Sequence, residues 1–513
     1  MAARRPRPRT PPIGPARAAY QELEVRFRRL GMLSGVQAML DWDSATLMPP
    51  GGAAVRTDQL ALLAAQTHRE LTDPAIAALA KRAARGRLTP AQSANLSGMG
   101  YYLRHARAVP DALVEALGRA SARCEVAWRA AKPANDFKGL RPHLTQVLAL
   151  VREKAAAKAA AFGCSPYDAL LDQFNHGITV AHIDPVLDRL ARDLPPLVRE
   201  AMEAQARRPR PRKPAGAVPA PLQQSLGREV ATRMGFDFTG GRLDESAHPF
   251  TGGVPGDVRI TSRPLPNDFL SGLMAVIHET GHALYEQGLP ARWRWQPSGE
   301  AAGSAMHEAQ ALLWEMQVGR GRAFLGALVP GIRRAFRRSG PAFTAANIVG
   351  LAQRVRPGFI RVDADEVTYP LHVVLRYRLE KALVSGDLVM ADLPGAWADG
   401  MKSLLGVVPR TDTEGCLQDI HWTFGNYGYF PSYALGAAAA AQLFRAAARA
   451  DRSIRPRLRQ GDGGPLLAWL RNNIHAHGSR YAAPELLRRA TGRGFDAEAL
   501  LQHLRTRYVT GGD

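Results

Sequence analysis

Two histidines four residues apart, His278 and His282, stand in "MAVIHETGHALYEQG", with Glu279 directly after the first. An α-helix turns once every 3.6 residues, so positions i and i+4 share a face and can present two imidazoles to one ion. Glu279 then lies beside that ion without having to bind it. From there it can take a proton from an activated water and return it to a leaving amine. Zinc suits the pair, because it accepts neutral imidazole and carboxylate and leaves a position open for water. Cobalt or manganese can occupy a site of this type. The surrounding helix is mostly apolar, where unpaired histidines would be costly to bury.

Two imidazoles need a third protein ligand. The stretch "SGEAAGSAMHEAQALLWEMQVGR" offers Glu300, His307, Glu308 and Glu315 within an otherwise apolar helical pattern. Spacing alone does not choose among the glutamates, and any of them can equally be a buried salt-bridge partner.

The elements that must position these residues read as helices. Tyr20, Leu23, Phe27 and Leu30 recur at three and four residues, one face of a helix. "HLTQVLALVREKAAAKAAAFG" is helical up to Gly163. "DPVLDRLARDL" predicts a helix opened by Asp184 as N-cap and Pro185 at the first position. "ADLPGAWADGMKSLLG" and "DAEALLQHLRTRYV" are further helices. The metal-motif helix starts at Asn267 or Asp268 and stops at Gly288, with Pro290 beyond. One strand signal stands out, "GDVRITSR", where β-branched residues follow a Gly/Pro turn. The expected fold is mainly α with one small β element just before the histidine motif.

With 513 residues, 46% of them hydrophobic and 22% charged, the chain can bury a large core. Its net charge of +21 fits either a polyanion partner or a basic surface. Arginine and proline concentrate in the first 17 residues, read as a disordered tail, and in "ARRPRPRKPAG" (206–216), read as a loop. No motif interleaves aromatic and basic residues as an RNA reader does, so nucleic acid is not expected as the main partner. Cys124, Cys164 and Cys416 are odd in number, far apart and in no paired spacing, and read as reduced core thiols. No apolar run reaches the roughly 20 residues of a membrane span, and no secretory h-region is visible. These features predict a cytoplasmic protein.

At the histidine motif the sequence resembles the carboxypeptidase Taq family of zinc metallocarboxypeptidases. "DVRITSR" matches the family's Asp-x-Arg-x-Thr signature at Asp257, Arg259 and Thr261. "HETGH" is its metal motif, and "HEAQ" (307–310) matches His-Glu-Ser/Gly-Gln, which implies that Glu308 is the third ligand. "IRVDAD" (360–365) and "GCLQDIHW" (415–422) match two more signatures in the right order. "LDWDSATLMPPGGAAVR", "SPYDALLDQF", "LDESAHPFTGG" and "GYFPSYALG" are also similar to family segments. Ala309 departs from the usual Ser or Gly. The resemblance covers the chain from about residue 18, and so predicts one helical metallocarboxypeptidase domain over 18–513. It implies a zincin-type helical cradle with a deep groove, often a homodimer, acting on peptides.

An exopeptidase working from the C-terminus must hold a free carboxylate, and a guanidinium fork does this best. Arg361 is the first candidate and Arg259 the second; Asp365 and Asp257 are their obvious structural partners. The signature around them adds Gln418 and Asp419 to the substrate-binding set, with Asp419 able to orient His421 or an anchoring arginine. The oxyanion of the tetrahedral intermediate needs a further donor. "HWTFGNYGYFPSY" offers His421, Tyr427, Tyr429 and Tyr433. By analogy with related oligopeptidases, Tyr429 or Tyr433 is the donor and His421 helps hold the substrate. Trp42 and Asp43, before a Pro-Pro-Gly-Gly turn, read as structural. The sequence thus predicts a zinc-dependent carboxypeptidase of broad specificity with Glu279 as general base. A thimet-like oligopeptidase cutting inside short peptides is the first alternative. A basic nucleic-acid-binding protein with a degenerate metal site is the second.

Overall fold

The helical periodicities become a protein built almost wholly of helices; the computed structural model describes residues 14–512. The first helix, Pro15–Thr46, turns Tyr20, Leu23, Phe27 and Leu30 inward as their spacing predicts. They pack with Ile76, Leu79, Ala83, Met99 and Leu103 from the helices Pro74–Ala83 and Pro90–Arg107, forming a small core of their own. The expected tail over 1–17 lies outside the described residues up to position 13, and Pro15–Arg17 already belong to this helix. The later helices enclose the main core. The stretch read as one domain therefore carries two hydrophobic cores.

Asn95 joins them. Its side chain is fully buried, donating to Tyr20 Oη at 3.2 Å and Gln296 Oε1 at 3.1 Å. Its Oδ1 accepts from the Ser298 backbone N–H at 3.1 Å. Gln296 in turn donates to the carbonyl of Glu24 at 2.8 Å. Trp42 adds an apolar link, its buried ring lying 5.1 Å from that of Phe250.

The small β element expected before the metal-motif helix is a sheet of three strands: β1 (Gly241–Glu245), β2 (Thr251–Val254) and β3 (Asp257–Ser262). The order is β1-β3-β2, with β1 parallel and β2 antiparallel to the central strand. Only β3 carries the buried alternation, at Val258 and Ile260. β1 ("GRLDE") and β2 ("TGGV") lack it, and so are invisible to periodicity.

The metal-motif helix runs Phe269–Gly288, with Asp268 capping it by accepting from Ser271 N–H at 3.2 Å. The next ligand-bearing segment is α-helical over Ser304–Leu312 and continues as a π turn over Leu313–Gly319. The helix expected to open at Asp184 starts instead at Val180, where Thr179 N–H donates to His182 Nδ1 at 3.3 Å. A tertiary demand overrides the local cap: Asp184 accepts from Lys381 at 3.0 Å and from Tyr377. Leu187, Leu190 and Leu194 are buried as their spacing predicts. The basic segment after Ala206 is irregular, as its prolines predict, and is pinned by Arg338 donating to the carbonyl of Ala215 at 2.7 Å. Cys124 and Cys416 are buried, but Cys164 is exposed beyond the end of its helix and is not a core thiol. Among the described residues no helix is long and apolar enough to cross a membrane.

Replacing Asn95 by Ala strands Ser298 N–H and the Gln296 carbonyl oxygen in a dry site. The expected loss is about 2–4 kcal/mol of stability, from three missing hydrogen bonds, two of which leave unsatisfied groups. Urea unfolding of the metal-free protein checks it, and a midpoint equal to the parent's contradicts the bridging role.

Candidate metal centre and substrate site

The two ligand-bearing helices approach so closely that a side chain is excluded between them. A Cβ on Gly281 would lie 2.7 Å from Ala311 Cα and 2.9 Å from the Gln310 carbonyl. A Cβ on Gly436, in the helix Pro431–Ala450, would lie 2.8 Å from Glu308 Cγ. The glycines let backbone pack on ligand, and the result is a cluster. Ligand atoms of His278, His282 and Glu308 all lie within 4.8 Å of one another. His278 Nε2 is 3.9 Å from Glu308 Oε1 and His282 Nε2 is 3.7 Å from Oε2. The imidazoles stand nearly perpendicular, 84° apart.

The donor set fits a divalent ion. Each Nδ1 is committed outward: that of His278 to Glu315 Oε2 at 3.0 Å, that of His282 to the carbonyl of His307 at 3.1 Å. Such partners fix the tautomer and leave the Nε2 lone pairs for a metal. Glu308 is 7% exposed, and its Oε1 is buried without a hydrogen-bond partner. Burial pushes the Glu308 carboxyl up to about 7, against the pull of His278. A cation at this point removes that penalty. Burial opposes protonation of His278, but the Glu315 hydrogen bond and the Glu308 and Glu279 charges outweigh it and bring its pKa up to about 10. His282 is held well below its usual range by burial and by the charges of His307 and His278. The His278 side chain stays 21% exposed, so the cluster is open on one side.

Of the glutamates that spacing left open, Glu308 joins the cluster. Glu315 sits behind His278, and Arg320 holds it at 2.7 Å. Burial would raise the Glu315 pKa, but Arg320 and His278 bring it down to about 2. Glu300 lies before the helix and accepts from Tyr102. His307 stacks on His282 at 4.5 Å and bonds Glu286 at 2.8 Å. Glu279 is buried beside the cluster, where Thr251 of β2 donates to its Oε2 at 2.7 Å. Burial raises its pKa. Thr261 hydroxyl oxygen accepts from Phe250 N–H at 2.9 Å and from Ser246 at 2.7 Å, fixing the loop that delivers Thr251.

A second buried charge cluster centres on Asp419. Its Oδ1 accepts from Arg361 Nε at 3.0 Å and Nη2 at 2.9 Å, and its Oδ2 accepts from Arg376 Nε at 2.6 Å. Burial would raise the Asp419 pKa, but the two guanidiniums hold it far below the carboxylate range. Arg361 therefore pairs with Asp419 and not with Asp365. Asp365 is spent on the following turn, accepting from Val367 and Thr368 N–H at 3.0 and 3.1 Å. Among the described residues nothing accepts a hydrogen bond from Arg361 Nη1, and the guanidinium lies 4.9 Å over the Tyr433 ring. Arg259 is paired with its neighbour Asp257 at 2.6 Å and stacks 5.7 Å from the Trp42 ring, a bond between sheet and first helix. Gln418 is fully engaged: Oε1 accepts from Arg361 N–H at 2.8 Å and Nε2 donates to backbone carbonyls, including Phe359 at 3.1 Å. It braces the Arg361 loop and has no free amide for substrate.

His421 Nε2 is 3.3 Å from Tyr433 Oη, and Tyr429 lies between Phe174 and Tyr433, at 5.1 and 5.3 Å. Burial raises both tyrosines, Tyr429 to about 12, so both keep their protons near neutrality. Burial lowers His421 to about 4 despite Asp419, so it is a neutral ring near neutrality. Tyr427 is core, stacked on Trp422. Three positioning groups escaped the sequence reading: Thr251, Arg376 and Glu380. Glu380 accepts from Trp422 Nε1 at 2.8 Å, Tyr167 at 2.8 Å and Gly428 N–H at 3.0 Å, which clamps the loop between His421 and Tyr429. The available signal was an arginine and a glutamate four apart in the apolar helix Tyr369–Ser385.

Residues 22–508 match the carboxypeptidase Taq (M32) metallopeptidase family. The thermostable carboxypeptidase 1 of Thermus thermophilus is 37% identical over 504 residues, covering 96% of this chain and 98% of that one. Carboxypeptidase 1 of Bacillus subtilis is 32% identical, covering 94% and 96%. Among solved structures, Trypanosoma cruzi metallocarboxypeptidase 1 superposes with a TM-score of 0.93 at 40% identity, over 96% of this chain and 99% of that one. The M32 carboxypeptidase of Deinococcus radiodurans gives 0.91 at 34% identity, with the same coverage.

Asp419→Asn leaves two buried guanidiniums facing a neutral amide, and should cost about 3 kcal/mol. Because the folded carboxyl is held below its unfolded pKa of about 4, the stabilisation is complete above that pH and lost as pH falls below it. The gap between parent and variant in urea midpoint should be constant above about pH 4 and narrow below it. A gap independent of acid contradicts the pairing.

Proposed function

The chain belongs to the carboxypeptidase Taq family of metallopeptidases and is a metallocarboxypeptidase, a peptide hydrolase, and we propose that it uses zinc held by His278, His282 and Glu308 to release single C-terminal residues. The observation that carries this reading is the convergence of two free Nε2 atoms on a buried carboxylate with an unpartnered oxygen. Zinc, when bound, acidifies water and polarises the scissile carbonyl. Cobalt or manganese suits the same donors.

Glu279, oriented by Thr251, takes the proton of the attacking water and gives it to the leaving nitrogen. Tyr429 and Tyr433 keep their phenolic protons and donate to the developing oxyanion, while neutral His421 positions Tyr433. Arg361 anchors the substrate's terminal carboxylate. Its Nε and Nη2 edge is taken by Asp419, which leaves the Nη1 and Nη2 edge for a second, bidentate carboxylate. Asp419, Gln418 and Arg376 are positioning residues for that arginine, and Arg259 is a structural one. An anchor that grips the main-chain carboxylate asks little of the side chain, which supports broad specificity among peptides. The reading extends to a cytoplasmic location, expected from the cysteine usage, and to a homodimer, as the family resemblance implies.

Mass spectrometry of a peptide incubated with metal-loaded protein tests the reading. A ladder shortened one residue at a time, abolished by a chelator, is the expected result; internal fragments favour an oligopeptidase. Glu279→Gln should keep its metal and lose about 10²–10⁴-fold in turnover. Activity within tenfold of the parent overturns the general-base role. Arg361→Ala should damage cleavage of free-carboxylate peptides far more than that of amidated ones, which the parent already cuts poorly. Equal losses on both would remove the anchor role.

A further inference from the structure

We propose that Arg507, near the end of the chain, is a positioning residue for the metal centre, holding the π turn that presents Glu315 to His278. The inference rests on the ligand assignment above. The segment after Leu312 leaves α geometry and runs as a π turn over Leu313–Gly319, with Glu315 inside it. A π turn is rare and frequently marks a functional site. This one is held from 190 residues away in sequence. Arg507 Nη2 donates to the Gln317 carbonyl at 2.9 Å, and Nη1 donates to that of Met316. One planar fork thus grips the carbonyls of the two residues directly after Glu315.

The fork is itself fixed. Arg507 is 4% exposed and pairs with the fully buried Glu366, Nη1 to Oε2 at 3.1 Å. Tyr508 donates to the same oxygen at 2.6 Å, and His503 Nε2 lies 2.7 Å from Oε1. These donors come from the last helix, Glu498–Leu504, and its continuation Arg505–Thr510. On the far side of the turn Glu315 is shared between Arg320 and His278 Nδ1. The chain of contacts runs from Glu366 through Arg507, the turn and Glu315 to a ligand imidazole. Groups behind a ligating histidine set its orientation and basicity, and their loss typically costs about 10–100-fold in metal affinity.

The test is zinc affinity of the full-length metal-free protein, measured by competition with a chromophoric chelator. Arg507→Met should bind zinc about tenfold more weakly, the low end of that range. In a Glu315→Ala background the same change should add less than about twofold, because the element it positions is gone. A purely structural role would lower the melting temperature of the metal-free protein and leave zinc affinity unchanged. Parent-like affinity for Arg507→Met, or the same further loss in both backgrounds, overturns the proposal. If Arg507→Met does not fold, Tyr508→Phe decides: it removes one support of Glu366 and should weaken zinc about two- to threefold, again only with Glu315 present, and no change overturns the proposal. Glu308→Ala separates the two readings. If it too binds zinc like the parent, the ligand assignment fails and this proposal with it. If it loses zinc while Arg507→Met does not, only the role of Arg507 falls.

Discussion

A carboxylate buried with one oxygen unpartnered is the condition on which the rest of this molecule turns. Glu308 Oε1 has no donor within reach, and leaving a charge so placed in a dry interior costs several kcal/mol. His278, its pKa brought up to about 10, meets part of that cost as a cation, while His282 facing it is held neutral. A divalent cation meets the rest, and the surroundings are arranged for one. Gly281 and Gly436 bring three helices together with no side chain between them. Glu315 and the His307 carbonyl take up each Nδ1, so neither imidazole can turn its other nitrogen inward.

A different solution governs the second buried cluster, only a few side chains away. Asp419 is satisfied on both oxygens, but by two arginines, so the cluster keeps an excess of positive charge. Arg376 Nη2 is buried without a partner, and Arg361 retains a free edge. One centre is short of a cation and the other is short of an anion. Tyr433 flanks the second centre, with its ring under Arg361 and its hydroxyl beside His421. A peptide whose terminal carboxylate lies one residue beyond its scissile carbonyl carries an anion for the second centre and a polarisable oxygen for a cation at the first, which is the pairing proposed above.

The sequence made the metal residues legible because their chemistry is local. An i, i+4 pair of histidines on an apolar helix has one obvious use, and Asp268 and Gly288 mark that helix's ends within a residue. What it concealed is long-range. Nothing near Arg361 announces Asp419, so the adjacent Asp365 was the natural partner, whereas the fold spends Asp365 on a turn. Spacing could not separate Glu308 from Glu315, because seven residues return a helix to the same face; the π turn that divides their roles depends on Arg507 from the far end of the chain. β1 and β2 were illegible for a simpler reason: a two-glycine strand and a charged one carry no alternation, and both owe their pairing to β3.

Those long-range partners also give a task to motif residues outside the ligand set. In "DVRIT", Arg259 is spent on Asp257 and Trp42, and Thr261 on the loop before Thr251; the outcome is one hydroxyl placed against Glu279. In "GCLQDIHW", Gln418 holds the Arg361 backbone, Asp419 its guanidinium, and Trp422 is moored to Glu380. Each signature acts on a single reacting group through two or three fixed contacts. A displacement of about 1 Å in a reacting group can cost about 10²-fold in rate. Glu279 and Arg361, the general base and the anchor proposed above, are both long and flexible and gain the most from such bracing. The buried hydrogen bonds around them therefore belong to the chemistry as much as to the fold.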